Sequence, residues 1–152
     1  MTRTVETRIY ARMVAFLQQT QRQAEQALAG EGISPAQYFI LATVQERGAL
    51  QQSELADALG VTPGNVSQLV ARLEKARLVV RSERGKAKRV TLSPRGETLV
   101  TRLAPLHDRF VAERFSALRV AERRTLLSLL QRVSGVADSR SGPDRSASRP
   151  SR

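Results

Sequence analysis

Residues 50–92 read LQQSELADALGVTPGNVSQLVARLEKARLVVRSERGKAKRVTL, and three structural signals follow one another along this stretch. The first is a short amphipathic helix that ends at Gly60, a residue suited to a tight turn. The second is a new helix opening at Thr62-Pro63, because Thr caps helices well and Pro suits the first helical position. The third is a small basic hairpin. This order predicts a winged helix-turn-helix, a module that places its second helix in the DNA major groove.

The composition is strongly basic. The 152 residues include 25 Lys and Arg against 14 Asp and Glu, a formal net charge of +11. Such an excess favours a polyanionic partner through counterion release, with a solvated basic surface as the alternative. Cysteine is absent, which excludes disulfides, thiolate zinc sites and thiol-based redox sensing. Because no apolar run is long enough for a membrane span or signal peptide, we expect a cytoplasmic location.

Hydrophobic periodicity predicts four further helices around this stretch. A long first helix begins near Val5 and ends at Gly30, and a second opens at the capping sequence Ser34-Pro35. A fifth starts after Ser93, and a sixth covers residues 120–136. The predicted order is two helices, a short strand, two helices, a hairpin and two helices. The expected fold class is mainly α, a winged helix-turn-helix with a helical dimerisation region.

The predicted domain organisation has three parts. Residues 1–34 and 97–137 form the helical dimerisation region, because the last helix has an apolar face that is wide for so small a chain. Residues 35–96 form the winged helix-turn-helix DNA-binding domain. Residues 138–152 read DSRSGPDRSASRPSR, a Ser-, Arg- and Pro-rich composition that predicts a disordered basic tail.

The second helix of the motif has two different faces. Its apolar residues recur at helical spacing and form a stripe for burial: Val66, Leu69, Val70 and Leu73. Another face carries the predicted DNA contacts, which are Thr62, Asn65, Gln68 and Arg72, with Ser67 near its boundary. Asn and Gln can pair with adenine, and Arg with guanine or phosphate. An ordinary amphipathic surface helix is the alternative interpretation.

The hairpin concentrates positive charge. Between residues 81 and 89 there are five basic residues against the single acid Glu83. Because like charges repel and a nearby anion relieves that repulsion, we expect this hairpin to meet phosphates. The hairpin residues predicted to contact DNA are Arg81, Arg84, Lys86 and Lys88.

Catalysis and metal binding are not expected. The chain has one histidine, His107, and its neighbour Asp108 would point about 100° away on a helix. No serine lies in a nucleophile motif, and a metal site would need several His or carboxylates to converge. We therefore predict no enzyme, no cofactor and no metal. We expect His107 at a helix surface or dimer interface, with the lining of a ligand pocket as the alternative.

Two segments, SELADALGVTPGNVSQLVARLEKARLVVR (residues 53–81) and VTLSPRGETL (residues 90–99), resemble the MarR family of bacterial transcriptional regulators. The second is similar to that family's wing-exit motif, Val-x-Leu-Ser/Thr followed after two residues by Gly. The resemblance covers roughly residues 5–136. It implies an obligate homodimer, interlocked through the first, fifth and sixth helices, that binds a palindromic operator.

The resemblance also implies an effector pocket. Many members of the family release DNA when a small phenolic or anionic compound binds among the first, second and fifth helices. The corresponding residues here are Arg12, Met13, Phe16, Tyr38 and Leu41, with Arg12 attracting an anion. Ordinary core packing is the alternative for the four apolar and aromatic residues.

The sequence departs from the family pattern at three places. The wing is about three residues short, and the family's Asp-x-Arg positions hold Arg84 and Lys86, with Glu83 as a candidate substitute for the Asp. The residue that enters the minor groove is therefore left open. Arg77 stands where the family often has the Gly that ends the recognition helix, and a left-handed Arg would cost about 1 kcal/mol. Arg119 stands where a Ser or Thr usually caps the last helix.

These observations predict a homodimeric, sequence-specific DNA-binding transcriptional regulator, a ligand-responsive repressor whose partner is double-stranded DNA. The excess charge, the short wing and the Arg-rich tail favour an alternative, an architectural or weakly specific nucleic-acid-binding protein. A protein-binding module that uses the helical dimer surface is a third interpretation.

Overall fold

The structure is a computed structural model that describes residues 4–82 and 88–135. Its helices and strands are α1 (Val5–Leu28), a 3₁₀ turn (Ala29–Glu31), α2 (Pro35–Arg47), β1 (Leu50–Gln51), α3 (Gln52–Leu59), α4 (Pro63–Lys75), β2 (Val79–Ser82), β3 (Arg89–Leu92), α5 (Pro94–Arg114) and α6 (Val120–Ser134). The predicted mainly α fold and the predicted order of elements are confirmed. No helix among the described residues is long and apolar enough to cross a bilayer.

The chain divides into two compact units, residues 1–111 and 112–152, and α5 runs across the boundary. The predicted DNA-binding domain and dimerisation region are defined by expected function, whereas these two units are defined by compactness. The predicted division therefore stays a prediction. The predicted tail, residues 138–152, lies outside the described residues, as do Arg84 and Lys86.

One hydrophobic core holds the first unit together. Its fully buried side chains come from α2, α3, α4, β3 and α5: Ile40, Leu41, Leu55, Val66, Val70, Leu73, Val90, Val100 and Leu103. Small Ala56 is also buried on α3, where α3 packs against α4. Because interiors are packed as densely as organic crystals, α4 has little freedom to rotate about its axis.

Side-chain caps begin α2 and α4 where the sequence predicts them. Ser34 Oγ accepts a hydrogen bond from Gln37 N at 3.2 Å, and Gln37 Oε1 accepts one from Ser34 N at 2.9 Å. Thr62 Oγ1 accepts from Asn65 N at 3.4 Å. Gly60 has φ +66°, which places the turn between α3 and α4 in the left-handed region that favours glycine.

The three strands form an antiparallel sheet in the order β1, β3, β2. Val79 pairs with Leu92 and Ser82 with Arg89, so the base of the hairpin is in register. β1 adds a short third strand, in which Leu50 pairs with Val90. The hairpin is therefore anchored to the core at its base.

The recognition helix α4 ends in a left-handed arginine. Arg77 has φ +59° and is the one non-glycine residue with positive φ in the described part of the chain. The cost of about 1 kcal/mol is offset by closing bonds, from Arg77 N to Glu74 O and from Leu78 N to Leu73 O, both 2.9 Å. Ser93 Oγ also donates to Arg77 O at 2.7 Å.

The wing-exit motif locks the start of α5 against this turn. Ser93 N donates to Leu78 O at 3.0 Å, and Ser93 Oγ accepts from Gly96 N at 3.0 Å. A Cβ on Gly96 would overlap the carbonyl oxygen of Leu78. Only glycine therefore lets α5 approach the end of the recognition helix so closely.

In the second unit, the departure at Arg119 has a local explanation. Glu122 Oε2 accepts from Arg119 N at 2.7 Å, so the start of α6 is capped by the third helical residue rather than by position 119. Arg123 Nε donates to Phe115 O at 3.0 Å and Leu118 O at 2.9 Å. These bonds close the turn before α6 without a Ser or Thr cap.

We expect Gly96→Ala to lower the free energy of unfolding by about 1–3 kcal/mol, because the added methyl group overpacks a backbone contact. Gly64→Ala is the matched control. Nothing lies within 4 Å of a Cβ at Gly64, so alanine in α4 should raise stability by about 0.5–1 kcal/mol. Urea unfolding followed by circular dichroism measures both. Equal effects of the two substitutions would contradict the proposed close approach.

Candidate nucleic-acid interface

The two faces of α4 are separated as the sequence predicts. Val66, Val70 and Leu73 are buried, whereas Asn65, Gln68 and Arg72 are exposed. Thr62 is exposed at the helix start, and Ser67 is half-buried at the boundary of the two faces. The predicted DNA-contacting residues of this helix thus share one accessible surface.

Along the axis of α4, this polar surface has the length of a short DNA segment. Residues 65, 68 and 72 follow one another at helical spacing over seven residues, roughly 10 Å along the axis or about three base pairs. Thr62 uses its hydroxyl oxygen as the helix cap, which leaves its O–H able to donate. No acidic residue lies in the first turn of α4, and Arg72 and Lys75 lie in the last turn.

Two arginines of the wing are directed toward the chain itself. Arg89 Nη1 donates to Ala49 O at 2.9 Å, between β3 and the residue before β1. Arg81 Nε lies 3.1 Å from Glu74 Oε2, so Arg81 forms an ion pair with the recognition helix. Lys88 is exposed at the start of β3. Of the predicted hairpin contacts, Arg81 is therefore held in an ion pair within the chain, whereas Lys88 has an exposed side chain.

Glu74 is a residue that the sequence interpretation missed. It lies in the last turn of α4, where a negative charge opposes the helix dipole. A carboxylate at a helix position where it is unfavourable indicates that a cation pairs with it. The position of Glu74 near the helix end follows from the sequence, so this indication was available there. Its partner across the turn, Arg81, could not be identified without the tertiary structure.

A groove of about 420 Å³ lies in the first unit. Its walls are largely apolar and come from α1, α2, the end of α3, the α3–α4 turn and α5. The aromatic residues in its lining are Tyr38, Phe39 and Phe110, and the polar ones include Thr20, Gln21 and His107. No lysine or arginine is among the described residues that line it. The described lining of this groove is therefore apolar and aromatic rather than basic.

Tyr38 and His107 stand side by side in this groove, with ring centroids 4.8 Å apart and planes tilted by 38°. Burial raises the pKa of the Tyr38 phenol above its ordinary value, and the nearby charge of Asp108 raises it further. The phenol therefore stays protonated at neutral pH and keeps its donor. His107, whose place on a surface or in a pocket was open, lies in the wall of this groove.

The structure does not gather the five predicted effector residues into one cavity. Tyr38 lines the groove, while Leu41 is fully buried in the core, where ordinary packing explains it. Arg12 and Met13 line a separate depression along α1. Phe16 is 38% exposed rather than buried in the core. The α1 residues lie nearer the helix N terminus than the part of α1 that lines the groove, Leu17 to Leu28.

One ion pair links the turn after α1 to α5. Arg102 donates to both carboxylate oxygens of Glu31, at 2.9 and 2.5 Å. The paired guanidinium lowers the pKa of Glu31 below its ordinary value.

Residues 4–82 and 88–135 contain no group of three or more His, Asp or Glu side chains that could hold a metal ion.

Comparisons with known proteins agree with this geometry. Residues 31–89 match the family model described as the MarR family. An uncharacterized HTH-type transcriptional regulator of Bacillus cereus is 29% identical over 131 residues, 86% of this chain and 89% of that protein. The HTH-type transcriptional repressor MdtR of Bacillus subtilis is 34% identical over 76 residues, 50% of this chain and 49% of MdtR.

Solved structures share the fold. AbsC, a MarR family transcriptional regulator from Streptomyces coelicolor, superposes with a TM-score of 0.80 at 21% identity, over 89% of this chain and 95% of AbsC. Bordetella bronchiseptica BpsR, whose DNA binding is regulated by 6-hydroxynicotinic acid, superposes with a TM-score of 0.77 at 22% identity. That match covers 84% of this chain and 98% of BpsR.

A winged helix-turn-helix with an exposed polar recognition helix defines a DNA-binding transcriptional regulator. The helix-turn-helix part of this chain, residues 31–89, matches the MarR family of such regulators. Proteins of this family are non-enzymatic, so the prediction that the chain is not an enzyme is confirmed by the family.

We expect Arg72→Ala to weaken DNA binding and to reduce the slope of log affinity against log salt by about 1, if Arg72 meets a phosphate. Asn65→Ala should cost about 1–3 kcal/mol on the preferred DNA and relax base preference. Fluorescence anisotropy on DNA from upstream of the gene, at several salt concentrations, measures both.

Arg22→Ala on α1 is the control for these substitutions, because it removes the same charge far along the chain from the motif. It should leave both affinity and base preference close to those of the wild type. Wild-type binding by the Arg72 and Asn65 variants would rule out the assigned contacts.

Proposed function

We propose that the protein is a repressor that binds a palindromic operator as a homodimer and releases it when a small ligand binds. The exposed polar face of α4 carries the proposal. The core orients α4 so that Asn65, Gln68 and Arg72 face solvent together. We assign base and phosphate contacts to Thr62, Asn65, Ser67, Gln68 and Arg72, and phosphate contacts to the wing.

Exposed apolar side chains on two helices support the homodimer. Neither α1 nor α6 has a single buried residue in the isolated chain. The large apolar side chains exposed on them are Val5, Ile9, Tyr10, Met13, Phe16, Leu17, Val120, Leu127, Leu129, Leu130 and Val133. Soluble monomers seldom expose extended apolar surface, whereas a two-fold partner buries the same patch on both copies.

Dimerisation and operator symmetry belong together in this proposal. Two copies related by a two-fold axis present two recognition helices, which read half-sites about one helical turn apart in successive major grooves. The operator should therefore be palindromic. Bound at a promoter in the cytoplasm, the dimer would exclude RNA polymerase. The similarity of half the chain to the repressor MdtR supports repression.

The groove supports a ligand response. Its volume lies within the range of small-molecule sites. Ala58 and Leu59 at the end of α3 and Val61 of the following turn form part of its wall, so a bound ligand would touch the segment that leads into the recognition helix. Because no lysine or arginine is among the described lining residues, we favour the phenolic class over the anionic class. The DNA binding of BpsR, a structural neighbour, is regulated by 6-hydroxynicotinic acid, an aromatic acid, which supports a ligand response but not the choice of the phenolic class.

Footprinting tests the function as a whole. The purified protein should protect two half-sites about one helical turn apart on DNA from upstream of its own gene. A weakly specific binder is favoured by the excess charge of +11. Competition with unrelated DNA separates the two functions, because a regulator should prefer its own site by about a thousandfold or more. Uniform protection without preference would support the weakly specific binder.

We expect the double variant Leu127→Glu with Leu130→Glu to be monomeric, because two buried charges would oppose association. Operator affinity should fall about a hundredfold or more, since a monomer loses the second, intramolecular contact. Light scattering after gel filtration and anisotropy measure the two effects. Ser128→Glu, exposed between them on α6, should remain dimeric. A dimeric double variant would exclude α6 from the interface.

We expect Ala24→Phe to abolish the ligand response without weakening DNA binding, because the added ring fills the groove. Ala27→Phe introduces the same ring on the exposed side of α1 and should respond normally. Release of operator DNA by uncharged substituted phenols, and by the matching benzoates, provides the measurement. Release by benzoates at equal or lower concentration would contradict the preference for uncharged ligands.

A further inference from the structure

We infer that Glu74 is the positioning residue of the wing, and that Arg81 acts through Glu74 rather than by contacting DNA. The Glu74 carboxylate would hold β2 at a fixed position relative to the recognition helix. The inference rests on the proposed DNA-binding role of the wing, and it gives Arg81 a task other than binding DNA.

The contact is close and partly shielded from water. Arg81 Nε lies 3.1 Å from Glu74 Oε2, with 22% of the Arg81 side chain and 44% of the Glu74 side chain exposed. The buried Arg81 Nε makes no directed hydrogen bond among the described residues. The pair is therefore ionic, and Glu74 supplies the countercharge for a cation that has lost much of its hydration.

The pair closes a strained connection. Glu74 lies in the last turn of α4, and Arg81 lies in β2, opposite Val90 and next to Ser82, the last residue of that strand. Between them the chain passes through the left-handed Arg77. The ion pair therefore links α4 to β2 in addition to the backbone of this connection. The position of the end of β2 is thereby coupled to the recognition helix.

The alternative is that Arg81 binds a phosphate directly and that Glu74 is an incidental neighbour. The two roles predict opposite effects of neutralising Glu74 on DNA affinity. If Glu74 only adds negative charge near the DNA, neutralising it should strengthen binding to a polyanion. If Glu74 positions the wing, neutralising it should weaken binding although a negative charge has been removed. Arg81 as a direct contact would also contribute to the salt dependence.

The experiment is a double-mutant cycle of Glu74→Gln and Arg81→Gln in the full chain, with operator affinity measured over a salt series. We expect Glu74→Gln to weaken binding about fivefold with an unchanged salt slope. In the Arg81→Gln background the same change should not weaken binding further, because there is nothing left to position. Arg81→Gln itself should leave the salt slope unchanged.

Asp57→Asn is the matched control, since Asp57 is an exposed carboxylate of α3 in the same domain. It should bind the operator as tightly as the wild type, or slightly more tightly. Tighter binding by Glu74→Gln, or a salt slope reduced by about 1 in Arg81→Gln, would overturn the inference. Failure of the wild-type protein to bind DNA would instead refute the proposed function.

Thermal unfolding followed by circular dichroism checks that each variant is folded at the assay temperature. Should Glu74→Gln be unfolded there, Glu74→Asp provides a second test, because it keeps the charge and shortens the reach. Weaker operator binding by a folded Glu74→Asp variant supports positioning. Wild-type binding by that variant, with wild-type salt dependence, counts against it.

Discussion

Burial of one stripe of α4 is the constraint on which the rest of the structure depends. Val66, Val70 and Leu73 are fully buried against the rest of the core. Rotating α4 about its axis would expose these side chains and bury polar ones, and each large apolar side chain contributes about 1.5–3 kcal/mol on burial. The orientation of Asn65, Gln68 and Arg72 toward solvent follows from this packing. The face of α4 to which we assign DNA recognition is therefore determined by how the core is packed.

The connections on either side of α4 transmit that orientation to the rest of the first unit. The Gly60 turn joins α4 to α3, and its neighbours form part of the groove wall. The left-handed Arg77 joins α4 to the sheet, where Ser93 and Gly96 hold the start of α5 against it. A ligand in the groove and DNA on α4 would thus act on the same packed unit through short connections. Such coupling needs only small displacements, because packed cores shift between discrete arrangements.

Most of the fold could be predicted because its signals are local. The start of α2 at Pro35, the cap at Thr62 and the turn at Gly60 depend on neighbouring residues and were predicted correctly. The recognition face followed from the spacing of apolar residues along one helix. The groove was less predictable, because Tyr38 and His107 are far apart in sequence and meet only when α2 and α5 pack. Arg12, chosen for its charge, lines a different depression.

The sequence by itself determined the helices, their caps, the polarity of α4 and the resemblance to the MarR family. Each of these depends on residues within a few positions of one another. Only the tertiary structure decided that Arg81 faces Glu74, that Leu41 belongs to the core and that the described lining of the groove holds no lysine or arginine. Those facts depend on which elements pack together and at what angle. A hydrophobic pattern shows that a residue is to be buried, but it does not specify which residue it will contact.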